Sequence, residues 1–273
     1  MAEKQTEQKH GYQNPVRARL EAGESVIGLT LVTGNLEAAV YAATLGFHFL
    51  WVEMEHSPIT LESLRATVLG TQCLPAAVFA RVPVIETWCA KRVLDQGVTG
   101  VIFPFCSTPE LAKTAVASCR YPPAGRRGSG AGLATLTWPE PENYYDSADE
   151  NVMVVCVIEQ ASAVEQIDEI AATPGIDVLF IGTSDLSFSL GLRGRQEEPV
   201  LQQAIEKVTA AARRHHKFLG RPAASPNEVL RYQQEGFQFF QSVTEIGLME
   251  LGAEQVLRPL GIPRPKMSKS LLY

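Results

Sequence analysis

VMVVCVIE at residues 152–159 and DVLFIGTSD at residues 177–185 decide the fold. Both are short runs that stay apolar at nearly every position, and the segment between them has the period of a helix. A strand that is apolar on both faces belongs to a parallel sheet covered by helices, because a half-exposed strand would alternate. Working outward, six further runs share this character: SVIGLTLV (25–32), FLWVEME (49–55), AAVFARV (76–82), GVIFPF (100–105), KFLGRPA (217–223) and FQFFQSV (237–243). Eight such runs, separated by helical segments in 273 residues, predict an α/β fold: one (β/α)8 TIM barrel. A short polar N-terminal extension and a proline-rich C-terminal tail flank this single domain.

Local punctuation agrees with that frame. Ser57, Thr108 and Ser225 each precede a proline and are expected to cap helix starts. Gly46, Gly97, Gly175 and Gly236 stand just before strands, where a left-handed helix ending suits glycine. Two connections are long. Residues 120–151, with YPPAGRRGSG, are expected to form an active-site or interface loop. Residues 191–216 are expected to open irregularly and then form one long helix, LQQAIEKVTAAARRHHK.

Composition narrows the function classes. A formal net charge of −6 opposes general affinity for nucleic acid, which depends on neutralising phosphates. Five cysteines without CxxC spacing indicate reduced thiols and a cytoplasmic setting. Neither a signal-peptide core nor an uncharged membrane-length run is present, so no membrane partner is expected. Dinucleotide, P-loop and zinc-protease motifs are absent as well.

In a barrel the C-terminal strand ends carry chemistry and the N-terminal ends stability. Those ends hold Glu53, Glu55 and His56 on the second run, Arg81 on the third, Glu159 on the fifth and Asp185 on the sixth. Glu159 and Asp185 on neighbouring staves form a pair suited to a hard divalent cation. The same spacing also fits Asp185 capping a helix and Glu159 pairing with Arg81, and spacing alone leaves both readings open. His56, at a strand-to-helix turn, suits a general base oriented by Glu53, with a half-exposed loop histidine as the alternative. Arg81, inside an apolar strand, needs an anionic partner. No lysine falls at a strand tip where a Schiff base could form, so carbonyl activation by a metal is the expected route.

VEMEHSP (52–58), ARVP (80–83), VLDQGVTGVIFP (93–104), YPPAGRRG (121–128), the stretch 157–191 and the late GFQFF together resemble the HpcH/HpaI aldolase family, over nearly the whole chain. The resemblance implies a carbon–carbon lyase acting through a pyruvate enolate, on a 2-oxo acid and an aldehyde. It implies a divalent cation (Mg²⁺, Mn²⁺ or Co²⁺) on Glu159 and Asp185, His56 as base through a water, and Arg81 on the pyruvate oxygen. It further implies that Gly182, Thr183 and Ser184 receive the substrate carboxylate, that Asp95 is a polar feature near the site, and that the chain is a homo-oligomer, a hexamer or trimer of dimers. The chain departs from the family pattern where Glu53 and Met54 replace Asp-Gly, Val157 replaces glutamine, Thr183 and Ser184 replace Pro-Ala, and Thr244 replaces an aspartate. Oxaloacetate decarboxylation, acyl-CoA cleavage, a non-catalytic binding barrel and a phosphate-binding isomerase are the competing expectations.

Overall fold

The computed structural model describes residues 12–139 and 141–263. The polar extension to residue 11 and the tail from residue 264 lie outside the described residues. The chain begins with α1 (Pro15–Glu21), followed by β1 (Val26–Leu31), α2 (Leu36–Thr44), β2 (Phe49–Glu53), α3 (Leu61–Gly70) and β3 (Ala77–Arg81). Next come α4 (Thr87–Leu94), β4 (Gly100–Phe103), α5 (Pro109–Ser118), α6 (Tyr144–Asn151), β5 (Met153–Ile158), α7 (Ala161–Glu165) and α8 (Ile167–Ala171). The last part holds β6 (Val178–Ile181), α9 (Thr183–Ser189), α10 (Pro199–Arg214), β7 (Phe218–Pro222), α11 (Pro226–Gln234), β8 (Phe239–Thr244) and α12 (Glu245–Leu257). All strands are parallel to their neighbours, and β8 pairs back to β1, which closes the (β/α)8 barrel.

Strand alternation splits the apolar residues into two clusters. Leu50, Val52, Val154, Cys156, Leu179 and Ile181 point outward against the helices. Phe49, Trp51, Phe79, Val155, Phe180 and Phe239 point inward and fill the barrel. The rings are accommodated by glycines: a Cβ on Gly28 would collide with Phe49, one on Gly100 with Phe79, and one on Gly220 with Phe180. Phe49 and Phe239 stack at 4.4 Å across the interior. Helix α1 closes the N-terminal end of the barrel, since Val16 and Leu20 belong to the inner cluster. Buried Asn14 ties it down, accepting from Val16 N and donating through Nδ2 to the carbonyls of Thr99 and Asn151.

Most of the expected punctuation is present. Thr108 caps α5, and Ser225 caps α11 in a reciprocal box with Glu228. Gly46, Gly97, Gly175 and Gly236 all have positive φ. Ser57 does not start a helix: its hydroxyl donates to the Glu53 carbonyl and accepts from Ile59 N, and α3 begins later, capped by Thr60. The sixth run is shorter than expected, because Gly182 ends the strand and Thr183 to Asp185 form the first turn of α9.

The long connection after α5 is not an active-site loop within this chain. It lies across the helix ends on the stability face, where the carbonyl of Leu133 accepts from Arg65 and that of Leu136 from Gln72. An αβ connection joins a helix C-terminus to a strand N-terminus, which places it opposite the strand tips. Among the described residues no helix is long and apolar enough to cross a membrane.

Filling the Gly28 notch should overpack the interior. Gly28→Val is expected to destabilise the chain by about 1–3 kcal/mol, read as a lower urea midpoint at unchanged slope. An unchanged midpoint would show that Phe49 yields freely.

Candidate active site

Above the aromatic layer the same inward positions turn polar. Two residues beyond Trp51 the alternation delivers Glu53, two beyond Phe79 it delivers Arg81, and two beyond Val157 it delivers Glu159. Glu53 and Arg81 are register partners across β2 and β3. The Glu53 carboxylate, almost fully buried, accepts from Arg81 Nε at 2.6 Å and Trp51 Nε1 at 3.2 Å through one oxygen. Its other oxygen accepts from the backbone N–H groups of Glu55 at 2.8 Å and His56 at 3.0 Å. Glu53 therefore shapes the turn that presents His56, and it meets His56 through the backbone.

The carboxylate beside the imidazole belongs to Glu55, whose Oε2 lies 3.5 Å from His56 Nε2 and 3.1 Å from Arg81 Nη1. Sequence reasoning placed Glu55 at the strand end without giving it a role. The signal was present, because Glu55 keeps the inward parity of Glu53. Burial pushes the Glu55 carboxyl up to about 7, against the lowering effect of Arg81, and the negative charges of Glu53 and Asp185 add to the rise. The His56 side chain keeps 41% exposure, which leaves it open to solvent and substrate.

Glu159 is 3% exposed, and its Oε1 accepts from Phe105 N at 2.7 Å. Burial pushes its carboxyl up to about 7 too; Phe105 N–H and Arg81 oppose the rise, while Glu55 and Asp185 reinforce it. Gly182 gives Glu159 its room, since a Cβ there would meet Oε2 at 2.8 Å. Arg81 makes its ion pairs with Glu53 and Glu55, so the alternative pairing of Arg81 with Glu159 is not the one adopted. Glu159 and Asp185 both line the cavity, and Asp185 contributes to the rise at Glu159, while the Arg81 guanidinium makes its ion pairs with Glu53 and Glu55. Among the described residues no three His, Cys, Asp or Glu side chains form a ready metal cage. Two carboxylates with the remaining positions left to water and substrate oxygens is the arrangement Mg²⁺-type ions commonly take in reactive sites.

A cavity of ≈ 410 Å³ joins these groups: Glu53, His56, Arg81, Glu159 and the Gly182 to Asp185 turn line one half. The other half is built from β1, β7, β8 and the residues after them, with Thr30, Val32, Pro222 and Gln241 among its lining. Asp95 is not among the lining residues. It is the C-cap of α4, on the stability face, and accepts from Arg127 Nη2 at 3.3 Å. One chain therefore does not bring Asp95 to its own cavity, because a barrel helix runs back from strand tip to strand base. Thr244, expected to stand in for an aspartate, caps α12 through its hydroxyl. A carboxylate follows one residue later: buried Glu245 accepts from Val32 N, Thr33 N and Thr33 Oγ1, pinning the end of β1.

Comparison with known proteins matches residues 28–249 to the HpcH/HpaI aldolase/citrate lyase family. The 5-keto-4-deoxy-D-glucarate aldolase of Klebsiella pneumoniae is 30% identical over 90% of this chain and 96% of its own. The hydroxypyruvate/pyruvate aldolase of Paraburkholderia phytofirmans is 31% identical over 90% of this chain and 97% of its own. A crystal structure of a family protein from Burkholderia cenocepacia superposes with a TM-score of 0.84 at 30% identity, covering 91% of this chain and all of that one (100%). The chain is accordingly an enzyme of carbon–carbon lyase type and belongs to the HpcH/HpaI aldolase/citrate lyase family.

Proposed function

We propose that this chain is a divalent-metal-dependent aldolase that makes or cleaves a carbon–carbon bond through the enolate of a pyruvate-type 2-oxo acid, with an aldehyde as the second partner. The observation that carries the reading is the acid gathered at the mouth: burial raises the Glu55 and Glu159 carboxyls, the charge of exposed Asp185 raises both further, and Arg81 is the one arginine or lysine among the described residues lining the cavity. Held by Glu159 and Asp185, a cation such as Mg²⁺, Mn²⁺ or Co²⁺ supplies Lewis-acid polarisation of the oxo group. The first turn of α9, at Gly182, Thr183 and Ser184, offers backbone N–H groups to the substrate carboxylate. Arg81, fixed on both sides by Glu53 and Glu55, stabilises negative charge on the oxo oxygen as it develops.

In the cleavage direction a 4-hydroxy-2-oxo acid loses its hydroxyl proton, the C3–C4 bond breaks to release an aldehyde, and the electron pair remains as enolate. A proton delivered to C3 completes pyruvate. His56 takes the hydroxyl proton through a water and returns one to C3, while Glu55 balances the imidazolium that forms between the two transfers.

The same reading places the chain in the cytoplasm as a homo-oligomer, the hexamer or trimer of dimers expected from the family. Support for self-association comes from α12. Beyond Glu250 every described residue is exposed, including Leu251, Val256 (65%) and Leu260 (68%), an apolar surface that a lone barrel leaves in water.

Metal-loaded protein is expected to exchange the C3 protons of pyruvate in D₂O, followed by NMR, and Glu159→Gln or Asp185→Asn to reduce that exchange at least about 100-fold. Full exchange in chelator-stripped protein would sink the reading. Glu55 and Glu159 carry folded pKa values raised to about 7, so the metal-free chain holds their stabilising contribution below the ordinary carboxyl value of 4.5. That contribution is lost as pH rises through 7. Protons and a cation compete for the same oxygens, so the rise in Tm on adding Mn²⁺ should be larger near about pH 8 than near about pH 6. An equal rise at both would contradict this titration. For assembly, Leu251→Glu with Val256→Glu is expected to lower the mass measured by light scattering, and an unchanged mass would exclude α12 from the interface.

A further inference from the structure

The cavity is chemically divided, and its uncharged half has not been used by the reaction described above. On that side Val32, Pro222, Ala223, Ala224 and Val243 contribute apolar surface. Thr30, Gln241, Ser242 and Thr244 interrupt it, and of these Thr244 is engaged as the cap of α12. Gln241 shares the inward parity of Phe239, and its register neighbours are Gly28 on β1 and Pro222 on β7, neither of which brings a polar side chain. Gln241 Nε2 donates to Thr30 Oγ1 at 3.1 Å, and Thr30 is 3% exposed. Among the described residues no hydrogen bond is made by the second amide hydrogen of Gln241, by its Oε1 or by the hydrogen of the Thr30 hydroxyl. A half-buried amide inside a barrel is costly unless its remaining functions find a partner. A hydroxyl group meets that need, since it can donate to the amide oxygen and accept from the amide nitrogen or the threonine.

Charge decides which kind of hydroxylated molecule fits. Among the described residues lining the cavity Arg81 is the one arginine or lysine, and it is already paired with Glu53 and Glu55. A second carboxylate, on the partner remote from the oxo acid, would therefore find no free cation in this half and would face a mouth rich in acid.

We propose that Gln241, positioned by Thr30, is a specificity-determining residue that binds a hydroxyl group of the aldehyde, so that the enzyme takes a neutral hydroxylated aldehyde in preference to an unhydroxylated or carboxylated one. The inference rests on the aldolase reading of the site. It discriminates among aldehydes that the reading by itself treats alike.

The test measures kcat/KM for condensation of pyruvate with glycolaldehyde, propanal and glyoxylate, using the full chain with Mn²⁺. Glycolaldehyde and propanal have nearly the same size and differ in one hydroxyl, while glyoxylate supplies the carboxylate. Glycolaldehyde is expected to lead both by at least about tenfold, the scale of one well-formed hydrogen bond in a pocket. Gln241→Leu should bring glycolaldehyde down to the level of propanal, mainly through KM. Thr30→Val should act in the same direction more weakly, and Thr30→Ser, which keeps the hydroxyl, should restore the preference. Preference for propanal or glyoxylate, or a glycolaldehyde-to-propanal ratio that Gln241→Leu leaves unchanged, overturns the proposal. A hydroxyl on the oxo acid is the other source of the same chemistry, so the series is repeated with hydroxypyruvate as donor. A Gln241→Leu effect confined to that donor assigns the hydroxyl to the wrong partner and also overturns it. Metal-dependent pyruvate exchange without aldehyde discrimination defeats this inference alone, whereas absence of both exchange and condensation defeats the aldolase reading beneath it.

Discussion

The bond from Arg81 Nε to Glu53 at 2.6 Å, across adjacent staves, governs the charge balance on which the rest of the site depends. It commits Arg81, the one arginine among the described residues lining the cavity, to a carboxylate that is itself buried, and Glu55 takes another edge of the same guanidinium. Among the described residues Glu159 is then left with no ion-paired cation, in a setting where burial has already made its negative charge expensive. An acid excess of this kind is held in place by the fold: each carboxylate is delivered by a strand or helix whose position the barrel core fixes. Protonation relieves it at Glu55 and Glu159, whose carboxyls are pushed up to about 7.

The packing beneath explains how a cluster of charge is tolerated there. Phe49, Phe79, Phe180 and Phe239 fill the barrel between the mouth and α1, so the polar layer is the last layer and borders the cavity. Ring size at these positions is matched by missing side chains at Gly28, Gly100 and Gly220, which lets four bulky residues share a space that eight strands keep narrow. Stability is thus concentrated below the strand tips and reactivity at them. Gly182 belongs to the second task, because the space it vacates is occupied by the Glu159 carboxylate.

This division also decides what could be read from the sequence. The eight strands were legible because burial on both faces leaves an unbroken apolar run, and Glu159 and Arg81 were legible as polar endings of such runs. Helix α1 was not, since PVRARLE carries two buried residues and its role as a plug is set by the barrel it closes. Asp95, which the family resemblance put near the site, is the C-cap of α4 on the opposite face of its own barrel, a placement set by the direction of α4 and not by any local pattern of residues. Ser57 and the Thr183 to Asp185 turn show the limit at strand ends, where one glycine or one side-chain hydrogen bond moves a boundary by several residues.

Glu53 itself carries the most instructive departure from the family pattern, which expects the shorter aspartate. Its added methylene lets one side chain span from the Trp51 indole and the Arg81 guanidinium to two backbone N–H groups of the following turn. With both oxygens engaged in this way, Glu53 is a poor candidate for exchanging protons with the imidazole. The carboxylate that approaches the ring is that of Glu55, 3.5 Å away, and burial pushes its carboxyl up to about 7. Two neighbouring carboxylates thus meet His56 in different ways, Glu53 through the backbone of the turn and Glu55 beside the ring.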